Sequence, residues 1–98
     1  MKQVHLVVKG DVIGVGFRAW TKIQAKTRKV VGLVRNVHDD PHIFGPQGGI
    51  EIVAQAEEDV LNEFIEKIKE GSPVSRVDDV ETLWEEPIEV FDSFEIFK

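Results

Sequence analysis

Cysteine is absent from this 98-residue chain, which excludes disulfides, thiolate nucleophiles and cysteine-ligated zinc together. Long apolar runs are also missing. No segment is long or apolar enough to span a bilayer, and Met1-Lys2-Gln3 opens no signal-peptide hydrophobic region, so the expectation is a cytoplasmic protein with no membrane partner. Basic charge is scarce: 12 Lys and Arg stand against 18 Asp and Glu, for a net charge of −6. A nucleic-acid binder draws most of its affinity from a basic face. Here only Lys22, Lys26, Arg28 and Lys29 gather, and they read as a solvated helix face with a basic C-terminal turn. Nucleic acid is not expected as a partner. The length fits one domain, residues 1–98, expected to act as a monomer, and a hydrophobic fraction of 42% suits a small packed core.

The hydrophobic pattern divides the chain into alternating elements. Val4–Lys9 reads as a strand with Val4, Leu6 and Val8 on one side. Phe17, Trp20 and Ile23 recur at helical spacing up to about Thr27. Val30–Val37 is rich in β-branched residues, and Ile50, Ile52 and Ala54 keep a period of two over Ile50–Ala56. Between those strands Val37–Gly49, with two prolines and three glycines, reads as a long connecting loop. Glu57–Glu70 is the clearest helix. Val60, Leu61, Phe64, Ile65 and Ile68 form its apolar stripe, acids load its start, Lys67 and Lys69 lie near its end, and Gly71 and Pro73 stop it. Arg76–Glu85 and Phe91–Phe97 are further strands. The order β-α-β-β-α-β with one extra strand predicts an α+β, ferredoxin-like split βαβ sandwich. In it a four- to five-stranded antiparallel sheet carries two helices on one face.

Between the first strand and the first helix lies Gly10-Asp11-Val12-Ile13-Gly14-Val15-Gly16-Phe17-Arg18, with three glycines within seven residues. Glycines let successive backbone N–H groups turn inward around an anion, and a guanidinium can grip the same anion through paired donors. A cation at a helix start is electrostatically disfavoured, and a bound anion offsets that penalty. The run therefore reads as a phosphate cradle. Gly14-x-Gly16-x-x-Ala19 also matches a dinucleotide fingerprint, with Asp39 or Asp40 about twenty residues on. That fold needs a second crossover helix feeding a parallel strand. Here the second strand enters a glycine-rich loop and a hairpin, and the chain is too short. The dinucleotide reading is rejected.

Val8-x-Gly10-x-Val12-Ile13-Gly14-Val15-x-Phe17-Arg18 resembles the acylphosphatase signature V-x-G-x-V-Q-G-V-x-F-R. Gly32-Leu33-Val34-Arg35-Asn36 echoes the second motif of that family, Gly71-Ser72-Pro73-x-Ser75-x-Val77 its post-helix turn, and Phe94-Glu95-Ile96 its terminal strand. The resemblance implies hydrolysis of acyl phosphates to a carboxylate and inorganic phosphate. Carboxylate leaves readily, so catalysis of this kind is mostly positioning and charge stabilisation. Neither a metal, a cofactor nor a covalent intermediate is required. By the resemblance, Arg18 binds the phosphate oxygens with backbone N–H groups of Asp11, Val12, Ile13, Gly14, Val15 and Gly16, and Asn36 orients the attacking water. Without it, Asn36 is simply a residue at a strand end. Two other readings compete: a ferredoxin-like domain that binds an anion or a protein partner without turnover, and a carbamoyl-phosphate-directed module.

The chain departs from the family pattern at four places. Ile13 replaces glutamine, which predicts weakened or retuned activity. Leu33 replaces an aromatic. Lys29 stands where a glycine usual in the family follows the first helix, and a left-handed conformation there costs about 1 kcal/mol. The segment after Asn36 carries an insertion of about eight residues before Gly48, read either as a gate on the acyl side or as a tolerated surface addition. His38-Asp39-Asp40-Pro41-His42 holds two imidazoles and two carboxylates, but Pro41 breaks helical spacing, so it reads as a solvated turn and no metal site is assigned. His5 reads as an outward polar position, Trp20 and Trp84 as core or half-buried packing, and Glu81–Glu89 as an acidic sheet edge.

Overall fold

Val4, Leu6 and Val8 are fully buried, the outcome that a strand with one face on a core requires. In the computed structural model, which describes residues 1–97, they belong to β1 (Lys2–Asp11). It is followed by α1 (Phe17–Thr27), β2 (Val31–Val37), α2 (Pro41–Phe44), β3 (Gly49–Ala56), α3 (Glu58–Glu70), β4 (Arg76–Glu85) and β5 (Phe94–Phe97). The five strands form one sheet in the order β4-β1-β3-β2-β5. On its inner face Ile50, Ile52, Ala54 and Val34 continue the row begun by β1, and α1 and α3 close it with Phe17, Ala25, Leu61, Phe64 and Ile68. Phe94 of β5 meets Phe64 of α3 edge to face, with ring centroids 6.2 Å apart. Among the described residues no helix is long and apolar enough to cross a membrane.

The sheet is mixed rather than antiparallel throughout. β1 pairs antiparallel with β3 and β4, and β2 antiparallel with β3, but β5 runs parallel to β2. Direction follows from connectivity. β4 delivers the chain to the end of the sheet where β2 begins, so the next strand runs back alongside β2 in the same sense. The 86–93 connection is held by Gln55, a buried polar side chain. It donates to the Gln3 side chain at 2.8 Å and to the Glu89 carbonyl at 2.7 Å, and its oxygen accepts the Phe91 N–H at 3.0 Å. That last bond engages Phe91 outside the ladder, which is why β5 starts at Phe94 and not at Phe91.

Other differences from the sequence pattern have local causes. In α1 the buried face is Phe17, Thr21 and Ala25, spaced by four, while Ile23 falls off it and is 61% exposed. Trp84, expected in packing, is 41% exposed, because it lies near the end of the edge strand β4. The 37–49 connection contains the one-turn helix α2, which Pro41 begins instead of breaking. At a first helical position the missing N–H would have no partner anyway. Phe44 fixes this turn by packing where a side chain on Gly49 would sit: a Cβ there would lie 2.8 Å from its ring. His5 faces outward as expected. Its Nε2 lies 2.7 Å from Glu51 Oε2, and the other oxygen of Glu51 accepts from Arg35 across the β2–β3 pair.

α1 ends in a Schellman arrangement. The Val30 N–H reaches the Ala25 carbonyl at 2.8 Å and the Lys29 N–H reaches Lys26 at 3.1 Å. The residue between must be left-handed, and Lys29 has φ 58°. Lys29→Gly is therefore expected to raise stability by about 1 kcal/mol, read from urea unfolding. Acidification tests the outer face. Burial tends to raise the Glu51 pKa, but the hydrogen bonds and charges of Arg35 and His5 outweigh it and hold the carboxyl below its ordinary 4.5. A depressed carboxylate pKa contributes stability that is complete above the unfolded-state value and is lost as pH falls through the folded one. Unfolding free energy should thus drop with acidification below about pH 4.5, and drop less steeply in Glu51→Gln.

Candidate active site

β1 changes register against β4 between Lys9 and Gly10, and the chain then leaves the sheet for the loop that precedes α1. Gly14 and Gly16 take φ of 81° and 74°. A Cβ built on either meets nothing within 4 Å, so conformation and not space selects glycine at both. Gly16 caps α1 without a side chain: no side-chain hydrogen bond closes the helix start, and no acidic residue lies in its first turn. The Trp20 N–H is bonded to the Gly16 carbonyl at 3.1 Å. The N–H groups of Phe17, Arg18 and Ala19 precede that first intrahelical bond and lack such an acceptor. They carry the positive end of the helix dipole, which favours an anion.

This helix start opens onto a pocket of about 170 Å³. Val12, Gly14, Gly16 and Arg18 line it from the loop and α1, and Asn36 lines it from β2. Asn36 follows the fully buried Val34 by two residues and so shares the helix-facing side of the sheet. Its own half-buried side chain lies where the inner row reaches the end of the core. The Arg18 guanidinium donates from Nη1 to the carbonyl of Phe97 at 3.3 Å. Among the described residues no carboxylate pairs with it, so a surface ion pair does not account for its place. Cationic Arg18 and the open amides converge on one small volume within a chain of net charge −6.

Not every residue of the loop enters the pocket with its side chain. Asp11 is exposed at the end of β1, opposite Arg76. Val15 and Ile13 pack against the core. Ile13 also reaches the inserted segment: a Cβ on Gly48 would lie 3.1 Å from its Cδ1. The insertion itself supplies no lining residue to this pocket. Phe44, Gly45 and Gly48 instead border a separate groove with Lys9 and Arg76. Among the described residues no three His, Cys, Asp or Glu side chains gather as a metal site, the 38–42 segment included. Three lining residues, Phe17, Ala19 and Ile96, are not among the site residues expected from the sequence. Ile96 of β5 borders the pocket beside Asn36 and Arg18, and its period of two with buried Phe94 was the available sign.

Comparison with known proteins bears on the chain as a whole. A family model described as acylphosphatase matches residues 4–96. An acylphosphatase of Treponema denticola is 41% identical over 78 residues, 80% of this chain and 74% of that protein. One from Bacillus licheniformis is 36% identical over 96 residues, 98% of each chain. The crystal structure of acylphosphatase from Bacillus subtilis matches with a TM-score of 0.87 at 36% identity, covering 100% of both chains.

The left-handed loop offers a direct test of anion binding. Gly16→Ala should lower stability by about 1 kcal/mol, since the new Cβ is strained by φ and not by a clash. Inorganic phosphate should raise the melting temperature of the wild type and raise that of Gly16→Ala less, as read by scanning calorimetry.

Proposed function

The chain belongs to the acylphosphatase family and hydrolyses acyl phosphates to a carboxylate and inorganic phosphate, and on that premise we propose how its own residues do so. The phosphoryl group sits against the backbone N–H groups of the Asp11–Gly16 loop and the start of α1, with Arg18 spanning its outer oxygens. Asn36 accepts a hydrogen bond from a water through its side-chain oxygen and aims it at phosphorus. The water oxygen bonds to phosphorus as the bond from phosphorus to the acyl oxygen breaks. The electron pair of that bond leaves with the carboxylate, and the water releases one proton to solvent. Carboxylate is a stable leaving group, so no general acid is needed, and the work of the site is to orient the reactants and to neutralise charge on the equatorial oxygens.

The observation that carries this reading is the shared pocket: the loop glycines and Arg18, from one stretch of chain, and Asn36, from β2, border one cavity. Side-chain replacement at Ile13 leaves the backbone donors of the loop in place, which supports retained activity. We further propose that residues 1–98 act as a single catalytic domain, monomeric, cytoplasmic and without a nucleic-acid partner. The net charge of −6 supports the last point. The acidic residues of the edge strand β4, Asp78, Asp79, Glu81 and Glu85, support the monomer, because like charges discourage pairing between copies.

Hydrolysis of benzoyl phosphate, followed in the presence of a chelator, tests the assignments. Arg18→Gln should lower kcat/KM by about 100-fold or more and weaken inhibition by inorganic phosphate. Asn36→Ala should lower kcat by a similar factor, about 100-fold, while leaving phosphate inhibition nearly intact. Full activity in Arg18→Gln would show that the phosphate is gripped elsewhere.

A further inference from the structure

With phosphate assigned to the loop and Arg18, and the water to Asn36, the side chains left in the pocket are Val12, Phe17, Ala19 and Ile96. None carries an acid, a base, an amide or a hydroxyl. Val12 and Phe17 are buried and belong to the core, whereas Ala19 and Ile96 are exposed. Ile96 is 37% exposed, although its ladder partner Val34 and its strand neighbour Phe94 are both fully covered. An apolar side chain set at the rim of a charged pocket gains free energy when apolar surface covers it.

In-line displacement puts the attacking water and the departing carboxylate on opposite sides of phosphorus. Asn36 stands on β2, inside the sheet, while Ile96 stands on β5, the edge strand beside it. With the water held from β2, exposed Ile96 and Ala19 are the apolar pocket surface left open to the acyl group. We propose that Ile96 is a specificity-determining residue whose side chain, with Ala19, receives the acyl group. On this basis the protein favours acyl phosphates with an apolar acyl group, aromatic or branched aliphatic, over small or polar ones. The proposal rests on the placement of phosphate and water in the preceding section.

The test compares kcat/KM for benzoyl phosphate and acetyl phosphate in the wild type, Ile96→Ala, Ile96→Asn and Ile96→Leu, with phosphate inhibition measured alongside. Ile96→Ala should lower the benzoyl-to-acetyl ratio about tenfold, and Ile96→Asn at least as much, whereas Ile96→Leu keeps it. The inhibition constant for inorganic phosphate should stay within about twofold in all three, because phosphate has no acyl group. A ratio unchanged in Ile96→Ala and Ile96→Asn overturns the proposal, and so does an equal loss on both substrates with weakened phosphate inhibition, which would place Ile96 on the phosphate side. Ile96 is exposed, and a melting curve like that of the wild type shows that a variant is folded. Failure of the underlying reading is separable: it appears as full wild-type rates in Arg18→Gln or Asn36→Ala, whatever the Ile96 variants do.

Discussion

The open backbone amides at the start of α1 are the constraint around which the rest of the site is arranged. Most helices of this length satisfy their first N–H groups with a capping side chain or an acid in the first turn. Here glycine occupies the cap, no acid follows, and a cation, Arg18, stands where the helix dipole opposes it. Each choice is unfavourable alone. An anion in the pocket would offset all three, because the same groups that lack partners would then share one. The loop needs two left-handed residues to turn its amides inward, and only glycine takes those angles at little cost.

The sheet supplies the rigidity that this cradle lacks in itself. β1 is paired on both sides, by β3 and β4, and its inner row is completely buried. The loop therefore starts from a strand that cannot shift without disturbing the core. α1 is fixed from the other end by its Schellman turn and by Phe17, Thr21 and Ala25. Asn36 is held by ladder bonds in β2 and Arg18 is tethered to the last strand, so positioning comes from regular elements and not from flexible segments. The 37–49 insertion, by contrast, is accommodated beside the site. Phe44 fills the space above Gly49, and Ile13 turns toward Gly48. The apolar residue at position 13 is thus explained by packing: glutamine there would place an amide against the inserted segment.

Much of the architecture was legible in the sequence because its signals are local. The period of two in Val4–Val8 and Ile50–Ala54, the stripe of α3 and the stop at Gly71 are each carried by neighbouring residues. So are the loop glycines, since φ depends on the residue itself. Lys29 was legible in the same way, as a side chain at a position whose hydrogen bonds demand a left-handed turn. The expectations that missed concern environment. Ile23 and Trp84 are apolar and fit a pattern, yet neighbours three or four residues away cannot reveal that one lies off the buried face and the other at the end of an edge strand.

The sequence by itself determined the glycine loop, the arginine at the start of α1 and the succession of strands and helices, because turn geometry, helix capping and hydrophobic period are properties of short stretches of chain. Tertiary structure alone decided that β5 lies parallel to β2 and that Gln55 holds the connection leading to it. It also decided that Asn36 and Ile96 complete the pocket from two adjacent strands. These depend on which distant segments pair, and sheet order is set by the sum of many burial and ladder contacts that no single motif encodes.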